Sequence, residues 1–350
     1  MIKKRIETLL QAAATDAVYI TAPENLQYYS GFTGGEAWLV LEKGSCLLFT
    51  DSRYLLQAAE EAPDFAIVDI AKKRAEVYLQ EKMPDTVGYE ETYMTTAEYL
   101  RLQKKLGVCR WVPLSETILN QRAIKDEKEQ ELTRRAEQLA DEAFAHVLPL
   151  IRLGITERDV ALELEWYMRK NGALAPSFPI ICASGLRSAM PHGVATDKKL
   201  EAGDFVTMDF GCFLEGYASD MTRTVVLGRA TEEQKKIYET VLSAQKAAVS
   251  AVRPGVAGKA VDEIARSIIK DAGYGAYFGH ALGHGTGLLI HERPVLSPKS
   301  ADVLVPGMLV TVEPGIYIEN LGGVRIEDLV LVTEDGCENL TNSTKELLEL

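Results

Sequence analysis

Thiols are scarce and follow no pairing pattern. The 350-residue chain has five cysteines, Cys46, Cys109, Cys182, Cys212 and Cys337, an odd number with no C-x-x-C spacing. That argues against a disulfide framework or a zinc ribbon and favours reduced thiols in a cytoplasmic protein. Long apolar runs are missing too. No stretch reaches the roughly 18 residues a membrane-crossing helix needs. Met1-Ile2-Lys3-Lys4-Arg5 looks like the start of a signal peptide, but Glu7, Gln11 and Asp16 break the apolar stretch that such a peptide would need next. Positive charge is in deficit, with 38 Lys and Arg against 51 Asp and Glu, a net charge of −13. A surface of that sign repels phosphate backbones and anionic lipids, so neither nucleic acid nor membrane is an expected partner. Histidine is also rare. There are only five, which makes the position of each informative.

What remains is an ordinary globular composition, 47% hydrophobic and 25% charged, in a chain long enough for two domains. Residues 2–13 read as an amphipathic helix leading into a strand at Ala17–Ile20. Up to residue 118, strand-like runs (Ala37–Leu41, Ser45–Phe49, Ala66–Ile70) alternate with helical ones (Tyr54–Glu61, Ala97–Leu106), an α/β pattern without a catalytic cluster. The charged segment Lys125-Asp126-Glu127-Lys128-Glu129 opens a long helix to about His146, so the expected domains are 1–118 and 119–350. Thr156, three residues before Asp159, starts a further helix closed by Gly172, and residues 232–252 form another, ended by Pro254-Gly255.

Carboxylates interrupt two runs that otherwise read as buried strands, Phe205-Val206-Thr207-Met208-Asp209-Phe210 and Leu309-Val310-Thr311-Val312-Glu313. Asp220 and Glu327 come eleven and fourteen residues later. Burying several carboxylates together costs many kcal/mol or forces them to protonate, and a bound cation removes that cost.

The chain repeats itself across this region. Displaced by 101 residues, Ile151-Arg152-Leu153-Gly154-Ile155 falls on Val252-Arg253-Pro254-Gly255-Val256, and Gly172 on Gly273. Displaced by 104, Val206-Thr207 falls on Val310-Thr311, Asp209 on Glu313 and Gly211 on Gly315; Asp220 and Glu327 match after a three-residue gap. The repeat implies two similar lobes, each supplying one carboxylate pair to a shared site. The midpoint of each pair falls on turn residues, Glu215-Gly216 and Asn320-Leu321-Gly322-Gly323. Two hairpins are expected, each holding its carboxylates nearly opposite, with Cβ atoms roughly 4.5–5.5 Å apart.

Four of the five histidines surround these acids: His192, His280, His284 and His291. His146, on the long helix, reads as a packed or surface residue. His284 stands between Gly283 and Gly285, where the backbone is free to bring the imidazole close to other groups. Four carboxylates and an imidazole make an oxygen-rich donor set suited to manganese, cobalt or ferrous iron, with zinc as a further alternative. Five ligands exceed what one ion with an open position needs. Two ions about 3.5–4 Å apart, bridged by carboxylates and by a water that loses its proton near neutral pH, fit the count and suit hydrolysis. A single structural Ca²⁺ would leave the histidines without a role.

The segments Met208-Asp209-Phe210-Gly211, Ser219-Asp220-Met221-Thr222-Arg223-Thr224, Gly283-His284-Gly285-Thr286-Gly287-Leu288, Val312-Glu313-Pro314-Gly315-Ile316-Tyr317 and Val324-Arg325-Ile326-Glu327-Asp328 resemble those of the aminopeptidase P and prolidase family of dinuclear metallopeptidases. Phe49-Thr50-Asp51-Ser52-Arg53-Tyr54 is similar to part of the creatinase-type N-terminal domain these enzymes carry. The resemblance implies a mixed α/β (α+β) architecture, a creatinase-like N-terminal domain followed by a pseudo-two-fold pita-bread domain. It implies metal-dependent hydrolysis of the bond between an N-terminal residue and proline, as an Xaa-Pro aminopeptidase or dipeptidase, and a homodimer. It also implies residue roles. Asp209 binds one ion, Asp220 and Glu327 bridge both, and His284 with Glu313 holds the other. Glu313 is then the general base, His192 binds substrate and assists the leaving group, and His291 stabilises the tetrahedral intermediate. His280 lines the pocket beyond the cut bond, and Arg325, two residues before Glu327 and so on its strand face, orients the metal carboxylates. Relatives without metal that bind proteins, and non-peptidase hydrolases of the creatinase type, are the alternatives; methionine aminopeptidases share the ligands but usually lack the N-terminal domain. Retention of all five ligand positions with His192 and His291 weighs against the metal-free class.

Overall fold

Ala17-Val18-Tyr19-Ile20 is buried at every position, as a strand covered on both faces must be, and it lies inside the sheet of the N-terminal unit. The computed structural model describes residues 1–350, which divide into Met1–Arg122 and Ala123–Leu350. The division falls at the end of a helix, a few residues beyond the 118/119 boundary expected from charge patterning. In the first unit helices and strands alternate: α1 (Ile2–Ala13), β1 (Ala17–Ile20), α2 (Pro23–Ser30), β2 (Ala37–Glu42), β3 (Ser45–Thr50), α3 (Leu55–Glu61), β4 (Ala66–Asp69), α4 (Ala75–Lys82), β5 (Thr86–Tyr89), α5 (Thr96–Leu106), β6 (Arg110–Pro113) and α6 (Ser115–Ala123). The sheet order is β4-β3-β2-β1-β5-β6, parallel throughout except for β2.

The second unit holds α7 (Glu127–Val147), α8 (Glu157–Lys170), β7 (Ala175–Pro176), β8 (Ile181–Ser184), β9 (Phe205–Phe210), β10 (Cys212–Leu214), β11 (Tyr217–Ala218) and β12 (Met221–Val226) in its first half. Its second half has α9 (Glu232–Ala251), α10 (Gly258–Asp271), β13 (Gly283–Gly285), β14 (Glu292–Leu296), β15 (Leu309–Val312), β16 (Gly315–Ile318), β17 (Gly322–Arg325), β18 (Asp328–Val332) and β19 (Cys337–Asn339). Capping boxes start three of the helices: Asp126 with Glu129, Thr156 with Asp159, and Thr231 with Gln234. The internal repeat is visible in the elements, because α8 and α10 are both 14 residues long and begin at positions 101 apart. No helix is long and apolar enough to cross a membrane.

Strand periodicity then decides which side chains meet. In β9, Val206, Met208 and Phe210 join Ala136, Ala140, Val160 and Leu164 of α7 and α8 in one core, so Thr207 and Asp209 take the opposite face. Val310 and Val312 of β15 likewise pack with Ile237 and Val241 of α9 and Val261 and Ala265 of α10, leaving Thr311 and Glu313 on the other side. Hydrogen bonds sew the two halves together on those polar faces: Thr207 Oγ1 donates to the Gly323 carbonyl at 3.2 Å and Thr224 Oγ1 to that of Arg325 at 3.0 Å. Cys182 and Cys212 are buried in the first-half core, and all five cysteines are free thiols.

Hairpin register departs from expectation in one case. Glu313 and Glu327 continue the register in which Val312 faces Asp328 and Gly315 faces Arg325, so they lie opposite each other. Asp209, however, faces Thr222, and Asp220 lies two positions along. The cause is the turn. Glu215 and Gly216, with φ of 50° and 90°, are both left-handed as a two-residue type I′ loop requires, which pairs Leu214 with Tyr217. A two-residue offset preserves the face, so the two Asp side chains meet diagonally.

Candidate metal centre

Oxygen atoms of Asp209, Asp220 and Glu327 lie within 4.8 Å of one another, and all three residues are buried. His284 Nε2 completes the group, 3.5 Å from Asp220 Oδ2 and 3.4 Å from Glu313 Oε1. The five residues come from the end of β9, the entrance to β12, β13, the end of β15 and the bend between β17 and β18. They line a cavity of about 380 Å³ with His192, His280, His291, Arg325, Phe178 and Ile181. The N-terminal unit has a larger hollow of about 630 Å³, but Glu76 and Glu98, two of its acids, are already paired with Arg101.

Glycine places His284 for a reason more specific than flexibility. A Cβ on Gly283 would sit 1.9 Å from the Thr311 carbonyl oxygen, and one on Gly285 would sit 2.1 Å from that of Arg293. Only glycine lets β13 lie this close to its neighbours. The His284 amide donates to Thr311 Oγ1 at 3.0 Å, and Thr311 Oγ1 in turn donates to Glu313 Oε1 at 3.2 Å. At the other ring nitrogen, Nδ1 is 3.0 Å from the Gly285 carbonyl, which can only accept; Nδ1 therefore carries the hydrogen and Nε2 offers a lone pair to the acids.

Charge is badly balanced among the protein groups alone. Burial raises Asp220 and Glu327 well above the ordinary carboxylate range, and their mutual repulsion, with that of Asp209 and Glu313, adds to it. Burial also pushes Glu313 up to about 8 and His284 down to about 4. The one facing cation is Arg325. Burial works against its charge, but Tyr317 and the acids outweigh burial and raise its affinity for the proton.

These features fit a bound divalent cation. Asp209 Oδ1 is buried without a hydrogen-bond partner, and the His284 lone pair points at two carboxylate oxygens, an arrangement that is repulsive until a positive ion enters. The imidazole is already in the neutral form a metal needs, and a divalent charge would hold in their ionised form the carboxylates that burial and repulsion otherwise raise.

Arg325 leads to the substrate side of the cavity. Its Nη2 donates to Asp209 Oδ2 at 2.5 Å, Nε to Thr222 Oγ1 at 3.1 Å, and Nη1 to Pro191 O at 3.2 Å and Tyr317 Oη at 2.7 Å. Strand alternation puts it on the face of Glu327, and both line the cavity; because β17 ends at Arg325 and the chain bends before β18, the guanidinium bonds Asp209 directly and meets Glu327 only through Thr222. Because Arg325 can only donate, Tyr317 uses its own hydrogen toward His280 Nε2 at 2.9 Å, and His280 Nδ1 donates to the Ala281 carbonyl at 2.7 Å. His280 is thus neutral, and burial holds it down to about 4. The His291 ring lies 4.4 Å from that of His284; burial and the nearby His192 lower its proton affinity. The adjoining Glu292 is fixed by a buried ion pair to Lys125 at 3.1 Å. His146, as expected, is away from the site, 2.7 Å from Glu163 on α8.

Four contributors were not singled out from the sequence. Thr222 donates to Glu327 Oε2 at 2.6 Å, Thr311 serves His284 and Glu313, Tyr317 links Arg325 to His280, and Glu137 accepts from the Asp220 amide at 3.1 Å. Both threonines lie two residues from a ligand on its own face, a signal that strand alternation contains. Glu137 on α7 has no such signal.

Similarity to known proteins adds chemistry to this geometry. Residues 131–334 match metallopeptidase family M24, and residues 3–124 match the Creatinase/Prolidase N-terminal domain. An Xaa-Pro dipeptidase of Pyrococcus furiosus is 42% identical over 99% of this chain and 100% of its own. The solved structure of an Xaa-Pro dipeptidase from Bacillus anthracis superposes with a TM-score of 0.95 at 42% identity, covering 100% of both chains. That of an X-Pro aminopeptidase from Thermotoga maritima gives 0.92 at 36%, covering 98% of this chain and 99% of that one.

Proposed function

The chain belongs to metallopeptidase family M24 and carries a Creatinase/Prolidase N-terminal domain, and from that premise we propose that it hydrolyses the peptide bond between an N-terminal residue and a following proline. The convergence of four carboxylates and a neutral imidazole carries this reading. Asp209, Asp220, His284, Glu313 and Glu327 would hold two divalent ions, manganese or cobalt before iron or zinc. Such ions supply Lewis acidity toward the scissile carbonyl and lower the proton affinity of the attacking water.

The remaining work belongs to protein groups. Glu313, ionised once a divalent charge offsets the burial that raises it in the bare site, would take a proton from water as its oxygen adds to the carbonyl carbon, and pass that proton to the proline nitrogen as the C–N bond breaks. That nitrogen must be protonated to leave as a secondary amine. His192 and His291, on the cavity wall, would hydrogen-bond the substrate and the developing oxyanion, while His280, held neutral by Tyr317, lines the space beyond the cut bond. Both an Xaa-Pro dipeptidase and an X-Pro aminopeptidase are close in structure, so the length of peptide accepted is the open choice. Five free thiols support a reducing, cytoplasmic setting.

Turnover of an Xaa-Pro dipeptide and of an Xaa-Pro-Yaa-Zaa peptide by the Mn²⁺-loaded protein tests both points. Cleavage of neither, by protein that elemental analysis shows to be loaded, overturns the assignment; the ratio of the two rates gives the length preference.

A further inference from the structure

Arg223 is the bulkiest fully buried side chain of the protein, and it lies one strand position from a Thr that touches a metal-site carboxylate. Its guanidinium uses every edge. Nη1 donates to the carbonyls of Thr222, at 2.9 Å, and of Glu327; Nη2 donates to Asp328 Oδ1 at 2.9 Å and to the Ser343 carbonyl at 2.8 Å; Nε donates to the Thr344 carbonyl at 3.0 Å. Asp328 is equally occupied, accepting from Gln245 and Asn339 at 2.8 Å each and from Lys345. One knot therefore holds the Glu327 carbonyl and Asp328, the Glu327 amide donates at 3.1 Å to the same Thr222 carbonyl that Arg223 bonds, and the whole is tied to residues 343–345.

A second knot forms behind Asp220. Glu137, fully buried on α7, accepts the Asp220 amide on Oε2 and the Thr341 hydroxyl on Oε1, at 3.1 and 2.6 Å. One turn along α7, Asp141 accepts from the amides of Asn342 and Ser343 at 2.8 and 2.7 Å and from the Ser343 hydroxyl at 2.6 Å. Asp220 belongs to the first half of the repeat and Glu327 to the second. The segment 341–345 is the shared backing of both, and it lies outside the repeat.

We propose that residues 341–345 are a positioning element for the metal centre, setting Asp220 through Thr341 and Glu137, and Glu327 through Lys345, Asp328 and Arg223. Neither Thr341 nor Lys345 touches a reacting atom. They act by fixing the main chain from which two ligands project, and partners of that kind typically change metal affinity about 10–100-fold when removed. The inference rests on the divalent-metal reading of the site, which wild-type binding tests separately.

The experiment is calorimetric titration of metal-stripped, full-length protein with MnCl₂, alongside denaturant unfolding of the same metal-free samples. Thr341→Val and Lys345→Met should each weaken Mn²⁺ binding about tenfold or more. Thr341→Ser, which keeps the hydroxyl, should bind as wild type. Lys246→Met is the control, because it breaks the exposed 3.0 Å pair to Glu346 in the neighbouring stretch without touching either knot. Wild-type affinity in Thr341→Val overturns the Glu137 link, and wild-type affinity in Lys345→Met overturns the Asp328 link. Equal weakening in Lys246→Met reduces the effect to general destabilisation and overturns both. If Thr341→Val does not fold, Lys345→Met decides the proposal alone. Absence of Mn²⁺ binding by wild type itself would instead defeat the metal reading.

Discussion

At the scale of single residues, the site separates groups that hold a cation from groups that move protons. Glu313 belongs to both sets, so Glu313→Gln should lose turnover and weaken metal binding together, which activity and elemental analysis of one sample will report. His192 belongs to the second alone. We expect His192→Ala to keep its metal and lose roughly 10²–10⁴-fold in kcat/KM on a proline substrate; wild-type kinetics would remove it from the reaction. His280 gives a pH dependence whose sign is fixed by its low proton affinity. Unfolded, it takes a proton near 6.5; folded, near 4. Its neutral form therefore contributes stability in full above pH 6.5, and that stability is lost as the pH falls from 6.5 toward 4, by roughly 2–3 kcal/mol. Denaturant unfolding at pH 7 and pH 4.5 should show a larger loss for wild type than for His280→Asn; equal losses would contradict the neutral, Tyr317-bound state.

At the scale of elements, Asp209 inside β9 and Glu313 at the end of β15 put acids in otherwise uncharged, fully buried strand runs, and that contradiction made the site readable. Asp209 was legible because Val206, Met208 and Phe210 alternate around it and Glu313 because it closes the run Leu309-Val310-Thr311-Val312; Asp220 and Glu327 because each comes after a turn. Helix starts at Thr156 and the span of β9 were likewise readable from caps and periodicity. Diagonal pairing of the two Asp residues was not, because one positive-φ residue more or less in a turn moves the register, and Glu215 gives no hint that it adopts φ 50°. Alternation puts Arg325 on the face of Glu327, and both line the cavity, but which carboxylate it bonds was not legible because β17 stops at that residue. Glu137 was invisible because an acid in a charged helix ordinarily faces water. The close approach of β13 is open to test. Gly283→Ala should destabilise by about 3 kcal/mol or more, since the new methyl meets backbone that cannot yield, while Gly279→Ala, with nothing within 4 Å, should be nearly neutral. Thermal unfolding of the two variants measures the difference.

At the scale of the whole molecule, the N-terminal unit has a continuous six-stranded sheet and its own core but no cluster of metal donors. A domain of that kind, fused to a catalytic one, is suited to restricting which peptides enter, and we expect the protein to be a homodimer in which it does so. Light scattering tests the dimer. A soluble chain lacking residues 1–122 should still bind Mn²⁺ and change its preference between Xaa-Pro and longer peptides; a monomeric parent together with an unchanged preference would reject the idea.

Two of the five thiols have a use that owes nothing to catalysis. Cys182 and Cys212 lie inside the core that backs Asp209, and burial pushes both thiols up, Cys212 to about 11, so that as long as the core stays shut neither offers a thiolate or a path to one. An aromatic disulfide reagent will therefore label them only in the moments when that half of the domain opens. No cysteine is buried in the opposite half, where Cys337 is only partly covered. The first lobe thus contains its own clock: the slow labelling that follows reaction of the partly covered Cys46, Cys109 and Cys337, measured with and without bound metal, would time its breathing with no residue substituted.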